Sequence, residues 1–267
     1  MLVSDDAVWS LSAMERTIPL LRQSGHQVEG LWLCPDRLGR NTGLRIPFWY
    51  ARVFGLADFV RLGVFAVISK IRRLIGGMTG DRARSFSQLA RKTGLTLEGC
   101  DGANDPRFIS WLKEKEVDVL LILVGHILKA EVLQAVRLGV INKHAAVLPA
   151  NKGLLPYFWA RLHDRPQGVS FHIVDTGIDT GPLLVQERIQ DPAHLASLIR
   201  FYVEVFRQYP QSVREAVDRL EGGDSLALDR EIEPSYHSLP TREDVKQFKQ
   251  VGGRIVRWRD IRLALEL

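Results

Sequence analysis

The segment from Val117 to Val124 is a nearly uninterrupted run of apolar residues, and it constrains the fold more than any other part of the chain. A strand of this kind has both faces covered, as in the parallel sheets of α/β proteins. A helical pattern precedes it from the Asn104-Asp105-Pro106 cap to Glu116, and Ala130–Leu138 and Val140–His144 predict the next helix and strand. The alternation predicts an α/β fold with a doubly wound, mostly parallel sheet.

The two ends of the chain carry different patterns. The first 35 residues predict a strand at Leu2-Val3, a helix from the Ser4-Asp5-Asp6 cap to Gln23 with a kink or break at Pro19, and a strand over His26–Leu33. Beyond residue 190, helical patterns dominate, at Pro192–Tyr209, Ser212–Leu220 and Arg242–Gln250. We therefore expect a main domain over residues 1–190 and a mainly helical C-terminal extension over residues 191–267.

Cysteine content and the N-terminus bear on the cellular compartment. The two cysteines, Cys34 and Cys100, give neither a disulfide framework nor the spacing of a metal site. Asp5 and Asp6 follow Met1 closely, unlike a secretory signal. We expect a cytoplasmic protein that needs no metal ion.

The segment 41–85 is both basic and apolar. It holds eight Arg and Lys residues against two Asp, and so carries more than the formal charge of +5 of the whole chain. Its apolar runs predict one or two amphipathic helices ending at Gly76-Gly77, which form a basic helical insertion in the main domain. One interpretation is packing over the core or over a substrate pocket. The other is peripheral contact of residues 48–76 with a membrane surface.

Polar side chains follow the predicted strands at their ends. Asn142 and His144 point to the same face of their strand and Lys143 points to the other, because side chains alternate. The loops Gly125–Leu128 and Asp175–Gly181 also follow apolar segments. Ligands of parallel sheets bind outside the carboxyl ends of the strands. One crevice would then hold an amide donor, an imidazole base and a carboxylate, which suits attack on a carbonyl.

These segments together resemble the folate-dependent formyltransferase family. Residues 139–149 contain Asn-x-His and open a Leu-Pro-x-x-x-Gly pattern that ends at Gly153, and residues 168–181 contain Asp-x-Gly-x-Asp-x-Gly. The turn Gly125-x-Ile127-Leu128 is similar to the family's pterin-contacting loop. The chain departs from the family at Ala145-Ala146, where Pro-Ser is common, so a hydrogen bond behind the site is in doubt.

The resemblance implies a Rossmann-like domain that transfers a formyl group from 10-formyltetrahydrofolate to a primary amine. Asn142 would stabilise the oxyanion, His144 would move the amine proton, and Asp179 would orient the imidazole and raise its pKa. Lys143 and Lys152 are candidates for contacting the acceptor. His126 and His172 are assigned structural or pocket-lining roles. The residues expected to contact the donor are Gly125, His126, Ile127, Leu128, Leu148, Val174, Asp175 and Gly177.

The small-molecule acceptor that we favour is an amino sugar on a nucleotide or lipid carrier. Initiator tRNA ranks lower, because the residues after Ile189 predict helices, whereas the family's tRNA enzyme carries a C-terminal β-barrel. A different small amine as acceptor, hydrolysis of 10-formyltetrahydrofolate, and a non-catalytic relative that binds folate or a nucleotide are also considered. The complete set of Asn142, His144 and Asp179 argues against the last. The oligomeric state does not follow from the sequence.

Overall fold

The computed structural model describes residues 1–6, 8–80 and 82–266 of the chain. The strands are β1 (Leu2–Ser4), β2 (Gly30–Cys34), β3 (Arg37–Leu38), β4 (Asn41–Thr42), β5 (Thr96–Gly99), β6 (Val119–Leu123), β7 (Gly139–His144), β8 (Lys152–Gly153), β9 (Gly168–Ile173), β10 (Leu183–Arg188) and β11 (Tyr236–His237). The helices are α1 (Ser10–Gln23), α2 (Arg45–Phe54), α3 (Leu56–Thr79), α4 (Phe86–Thr93), α5 (Pro106–Glu114), α6 (Ala130–Leu133), α7 (Pro156–Leu162), α8 (Leu198–Glu221) and α9 (Arg242–Gln250).

Seven strands form the central sheet, in the order β10-β9-β7-β6-β1-β2-β5. Strands β5, β2, β1, β6 and β7 pair in parallel, and β9 is antiparallel to both β7 and β10. The predicted mostly parallel sheet is confirmed. The parallel arrangement brings the carboxyl ends of β1, β6 and β7 to one edge, where ligands of such sheets bind.

Helices cover both faces of the sheet. Val3 and Leu31 belong to the core cluster that includes Met14 of α1 and Phe206 of α8. Their chain neighbours Leu2 and Trp32 face the other cluster, with Phe108 of α5 and Val132 of α6. Because successive strand residues alternate between faces, each strand contributes to both cores. The doubly wound architecture is therefore confirmed.

Helix α1 begins later than predicted and runs past its proline. The Asp6 carboxylate accepts hydrogen bonds from the backbone N–H groups of Val8, Trp9 and Ser10, and so caps the helix from outside it. The possible break at Pro19 does not occur, since α1 continues to Gln23. Burial of one face of the helix compensates for the one backbone hydrogen bond that proline removes.

The basic segment forms the two helices α2 and α3, preceded by the β3–β4 hairpin. The predicted end at Gly76-Gly77 is wrong, because α3 continues to Thr79 and ends at Gly80 in the left-handed conformation. A side chain at Gly77 would collide with Arg84. The glycines therefore allow the segment that contains Arg82 and Arg84 to pack closely on the end of the helix. Asp81, counted in the charge of this segment, lies outside the described residues.

The predicted helical C-terminal region is also confirmed, with changes in detail. Helix α8 runs unbroken through Pro210, where we expected two helices, because one long buried face from Phe201 to Val217 holds it against the sheet. Strand β11, which lies between α8 and α9, pairs in parallel with β8. Helix α6 ends at Leu133 rather than Leu138.

Candidate active site

Two neighbouring strands supply three polar side chains to one face of the sheet. Asn142 and His144 of β7 lie opposite His172 and Ser170 of the antiparallel strand β9. Nδ2 of Asn142 lies 3.3 Å from Nε2 of His172. Nδ1 of His172 lies 2.9 Å from the carbonyl oxygen of Ile173, and this contact fixes the ring. The cross-strand register therefore holds an amide beside an imidazole.

Asp179 closes the cluster from the loop between β9 and β10. One carboxylate oxygen lies 3.4 Å from Nε2 of His172 and accepts from Nδ2 of Asn142 at 3.5 Å. The other lies 3.4 Å from Nδ1 of His144. Asp179 has a φ of 51°, a left-handed conformation in which Asp is enriched. At Gly181 a Cβ would collide with the carbonyl of Ile173, so the return of this loop requires glycine.

The loop from Leu148 to Gly153 supports the cluster from the other side. The carbonyl oxygen of Asn151 lies 2.9 Å from Nε2 of His144, and since a carbonyl only accepts, Nε2 carries the hydrogen. The backbone N–H of Gly153 donates to Asp179 at 2.8 Å. Gly153 has a φ of 93°, and a Cβ there would collide with the carbonyl of His237. The loop thus fixes both His144 and Asp179 through its backbone.

A serine on β9 makes the hydrogen bonds that Ala145-Ala146 cannot make through side chains. The Ser170 hydroxyl donates to the carbonyl of Ala146 at 2.7 Å and accepts from the backbone N–H of Leu148 at 3.2 Å. The turn after His144 is therefore tied to the neighbouring strand. The Leu148–Pro149 peptide bond within this turn is cis.

The pKa values of the two coupled groups favour a neutral base beside an ionised carboxylate. Burial pushes the pKa of Asp179 upward, but its contacts with His172, His144 and the Gly153 amide outweigh burial and lower the pKa to about 2. Burial lowers the pKa of His144 from its ordinary value despite the attraction of Asp179 and the Asn151 carbonyl. The expectation of a raised histidine pKa is thus wrong, because desolvation in this site exceeds the charge attraction.

Lys143 is not brought to the cluster. Its ammonium lies on the opposite face of β7, 4.7 Å from the ring centroid of Phe206 and 5.5 Å from that of Tyr202. Burial lowers its pKa to about 8. Lys152 lies half-buried on β8, one residue from Gly153 and therefore nearer the cluster.

The residues predicted to contact the donor occupy two places in the fold. Gly125 to Leu128 form the turn after β6, where Asn104 donates to the Ile127 carbonyl at 3.0 Å and Nε2 of His126 lies 2.9 Å from the Pro35 carbonyl. The second group lies near the ends of β7 and β9. There the backbone N–H of Val174 donates to the carbonyl of Val140, and Leu148 is buried. Asp175 accepts from the N–H of Gly177 and from the Thr180 hydroxyl, so it shapes the loop that carries Asp179.

Sequence reasoning missed His172 and Asn151 as members of the cluster. His172 is the cross-strand partner of Asn142, and only the antiparallel register of β9, which was not predicted, shows this. Asn151 acts through its backbone carbonyl, for which side-chain chemistry gives no signal. Asn151 has a φ of 55°. Asn adopts this conformation more readily than most residues, so the residue type is the one signal in the sequence for an unusual backbone at this position.

No group of three or more His, Cys, Asp or Glu side chains among residues 1–6, 8–80 and 82–266 could hold a metal ion. The cluster combines a neutral imidazole, a carboxylate and an amide at the end of a parallel sheet. Such a set can stabilise a developing oxyanion and take up a proton.

Two curated proteins that are similar to this chain in sequence share one name. Methionyl-tRNA formyltransferase of Thermodesulfovibrio yellowstonii is 30% identical over 148 residues, 51% of this chain and 48% of the relative. The enzyme of the same name from Caldanaerobacter subterraneus is 35% identical over 154 residues, 55% of this chain and 50% of the relative. The matched region spans about half the length of these curated relatives.

Solved structures share the fold at low identity. A sugar N-formyltransferase from a Shewanella species has a TM-score of 0.56 at 12% identity and covers 94% of this chain and 86% of its own. Glycinamide ribonucleotide transformylase 1 from Symbiobacterium toebii has a TM-score of 0.52 at 19% identity and covers 85% and 93%. An N-formyltransferase from Helicobacter canadensis, solved with folinic acid and dTDP-3-aminofucose, has a TM-score of 0.52 at 11% identity and covers 94% and 79%.

A protein-family model described as Formyl transferase matches residues 61–194, half of the chain. The matched residues include Asn142, His144, His172 and Asp179, which form the cluster described above. The chain therefore belongs to the formyl transferase family.

Proposed function

We propose that the protein transfers a formyl group from 10-formyltetrahydrofolate to a primary amine. The observation that carries this proposal is the meeting of Asn142, His144 and Asp179, with the carboxylate within 3.5 Å of both other side chains. The three groups come from two separate segments of the chain, and the sheet brings them to one end.

Each side chain has a role that its contacts support. Nδ2 of Asn142 carries two N–H groups and contacts both His172 and Asp179, at 3.3 and 3.5 Å. One of these N–H groups would turn to the formyl oxygen and donate to it as negative charge develops there. One such donor contributes about 3–4 kcal/mol to lowering the barrier. With its hydrogen on Nε2, His144 keeps the lone pair of Nδ1 for the proton of the attacking amine. Asp179 would then balance the imidazolium charge. The same proton would pass to N10 of the folate as the bond between N10 and the formyl carbon breaks, so that tetrahydrofolate leaves neutral at that nitrogen.

We assign the turn at Gly125–Leu128 to the pterin ring of the donor. It follows the carboxyl end of β6, whose residue Ile122 pairs with Asn142, and it presents the exposed apolar side chain of Ile127. We assign donor contacts to this turn and to Leu148, Val174, Asp175 and Gly177. The bound folate would supply the activated formyl carbon, and these residues would orient it.

The acceptor that we propose is an amino sugar on a nucleotide or lipid carrier. Support comes from the fold, which is shared over most of both chains with a sugar N-formyltransferase and with an N-formyltransferase solved with dTDP-3-aminofucose. We assign Lys152, beside Gly153, to contact with an anionic part of the acceptor. Lys143 lies on the far face of β7, so we place its role in the packing of α8 rather than in acceptor contact.

A second candidate is formylation of methionyl-tRNA, which the names of the curated relatives favour. Parallel assays with 10-formyltetrahydrofolate and either nucleotide-linked amino sugars, charged initiator tRNA or no amine separate the possibilities. If only the sugars are formylated, the result supports our proposal. If only the tRNA is formylated, the acceptor is methionyl-tRNA instead. Formate release at the same rate without any amine would indicate a hydrolase.

We further propose that residues 1–190 form the catalytic unit, that residues 191–267 are an extension packed on it, and that the protein acts in the cytoplasm. The backbone N–H of Asn151 donates to the Ser235 hydroxyl at 2.9 Å, and this contact supports a close association of the two parts. The extension thus steadies the loop that holds His144.

A further inference from the structure

Helix α3 is apolar on a face that no described residue covers. Leu56 is 72% exposed, Leu74 54% and Met78 82%, although all three are apolar. Side chains along a helix rotate by about 100° per residue, so the exposed apolar residues of α3 fall within an arc of about 100°. We call them the apolar stripe: Leu56, Val60, Val67, Ile71, Leu74, Ile75 and Met78.

The opposite side of α3 packs on the protein. Phe65, Ser69 and Arg73 are buried there, and Arg73 pairs with Glu15 of α1 at 3.3 Å. The helix is thus anchored by one face, and the apolar stripe is not a consequence of a loose helix. Scattered exposed apolar residues are ordinary, but a continuous stripe along a helix of 24 residues marks an interaction surface.

Cations border the stripe on both sides. By the same helical rotation, Arg61 and Arg72 lie along one edge and Lys70 lies along the other. Residues 43–80 contain one acidic residue, Asp58, which is buried and is held by Arg61 at 3.1 Å and Lys249 at 2.6 Å. The surface therefore exposes apolar groups and positive charge with no exposed carboxylate from this segment.

Helix α2 also exposes apolar and basic side chains. Leu44 at its start and Phe48 in its first turns are exposed, at 89% and 68%, and Arg45 and Arg52 are exposed beside them. Trp49, by contrast, packs edge-on against Phe54 on the inner side. Two successive helices thus present aliphatic and aromatic groups together with arginine.

We propose that the exposed surface of α2 and α3 binds an anionic lipid bilayer, with the apolar stripe inserted at the interface and the cations at the headgroups. Interfacial helices combine an apolar face with flanking Lys and Arg in this way. A second copy of the chain is disfavoured as occupant, because its own cations would face these cations without counter-charge. Within the described parts of the chain, no helix has the length and apolarity to cross a bilayer.

The binding surface is connected to the candidate active site through one hairpin. The β3–β4 hairpin leads directly into α2, and a Cβ at its Gly39 would lie within 3.1–3.2 Å of Leu154 and Leu239. Leu154 follows Gly153, whose N–H holds Asp179. Lipid bound to α2 and α3 would therefore contact a segment that is joined, through this hairpin, to the loop that holds Asp179.

Vesicle flotation tests this proposal directly. The full chain should float with vesicles of phosphatidylcholine and phosphatidylglycerol in equal parts, and bind pure phosphatidylcholine on the order of tenfold less. Lys70→Gln should reduce anionic binding about fivefold, the equivalent of about 1 kcal/mol per cation near the surface. Ile71→Glu with Leu74→Glu should reduce binding by tenfold or more, and Met78→Glu provides a second variant at a more exposed position.

The matched control is Leu138→Glu, since Leu138 is 48% exposed but lies outside α2 and α3. It should bind like the wild type, and circular dichroism should show that every variant is folded. Equal binding to both vesicle types, or unchanged binding of the stripe variants, would overturn the proposal. The proposal would also be overturned if sedimentation showed that the wild type is a dimer that does not bind vesicles and that the stripe variants are monomers.

Discussion

The carboxylate of Asp179 lies 3.4 Å from Nδ1 of His144, while the Asn151 carbonyl lies 2.9 Å from Nε2 of the same ring. The ring is therefore held between two acceptors. A neutral imidazole satisfies one of them, and an imidazolium satisfies both. The two acceptors favour the charge that His144 gains on taking up a proton, whereas burial opposes it and keeps the resting ring neutral.

Asp179 should contribute to stability in a defined pH window. Its folded pKa of about 2 lies below the ordinary 3.8, so its contribution is full above about pH 4 and is lost as the pH falls towards 2. The shift corresponds to about 2 kcal/mol. Urea unfolding of wild type and Asp179→Asn from pH 2 to 6 should show the difference between them shrinking at low pH. A difference that is constant over this range would contradict the assigned pKa.

His172 should act as a positioning residue. His172→Ala removes the ring that contacts both Asn142 and Asp179, so kcat should fall about 10- to 100-fold. Removing a group that only orients a functional side chain has an effect of this size in metal sites. His26→Gln, at the other end of the sheet beside Asp218, is the matched control and should retain full activity. If His172 only filled space, His172→Phe, which fills the position without a hydrogen-bonding group, would retain most of the activity and leave the pH dependence of kcat unchanged.

Lys143 should cost stability at neutral pH. Because its folded pKa of about 8 is below the ordinary 10.5, the unfolded chain binds more protons between these values, and stability rises as the pH increases from 8 to 10.5. Lys143→Met keeps an unbranched side chain of nearly the same length and removes the charge. Its free energy of unfolding at pH 7 should exceed that of wild type by about 1–3 kcal/mol, since the side chain is only half-buried. Chemical denaturation at pH 7 and pH 10.5 should show this gain disappearing at the higher pH; a less stable variant at pH 7 would refute the assignment.

Gly153 should be intolerant of substitution. With a φ of 93° and the His237 carbonyl against it, Gly153→Ala must strain or move the loop, at a cost of about 1–3 kcal/mol. Asp179 then loses its backbone donor and activity falls as well. Gly99→Ala, where a Cβ meets nothing within 4 Å, should change stability by less than about 0.5 kcal/mol. Thermal melts and kcat of the two variants check this, and similar behaviour of both would argue against a special role for Gly153.

The sheet order near the site could be predicted in part. The continuous apolar run of β6 and the alternation around it indicated a parallel sheet, and alternation within β7 placed Asn142 and His144 together and Lys143 apart. The antiparallel strands β9 and β10 were not predicted, because their pairing depends on long-range contacts. For this reason the position of His172 opposite Asn142 could not be predicted.

Helix boundaries were less predictable where tertiary packing overrides local preference. Pro19 and Pro210 both lie inside helices whose buried faces outweigh the missing hydrogen bond. The pKa of His144 followed burial rather than its charged neighbour, and burial cannot be known before the fold. The roles assigned to Asn142, His144 and Asp179 remain predictions that rest on chemistry and on their placement.

The most direct test of the central claim is formyl transfer from 10-formyltetrahydrofolate to an amine acceptor by wild type, Asn142→Ala and His144→Ala. Wild type should transfer the formyl group, and each variant should lose on the order of a hundredfold or more in kcat while unfolding at the wild-type temperature. Near-normal kcat in both folded variants would contradict the proposed chemistry of the cluster.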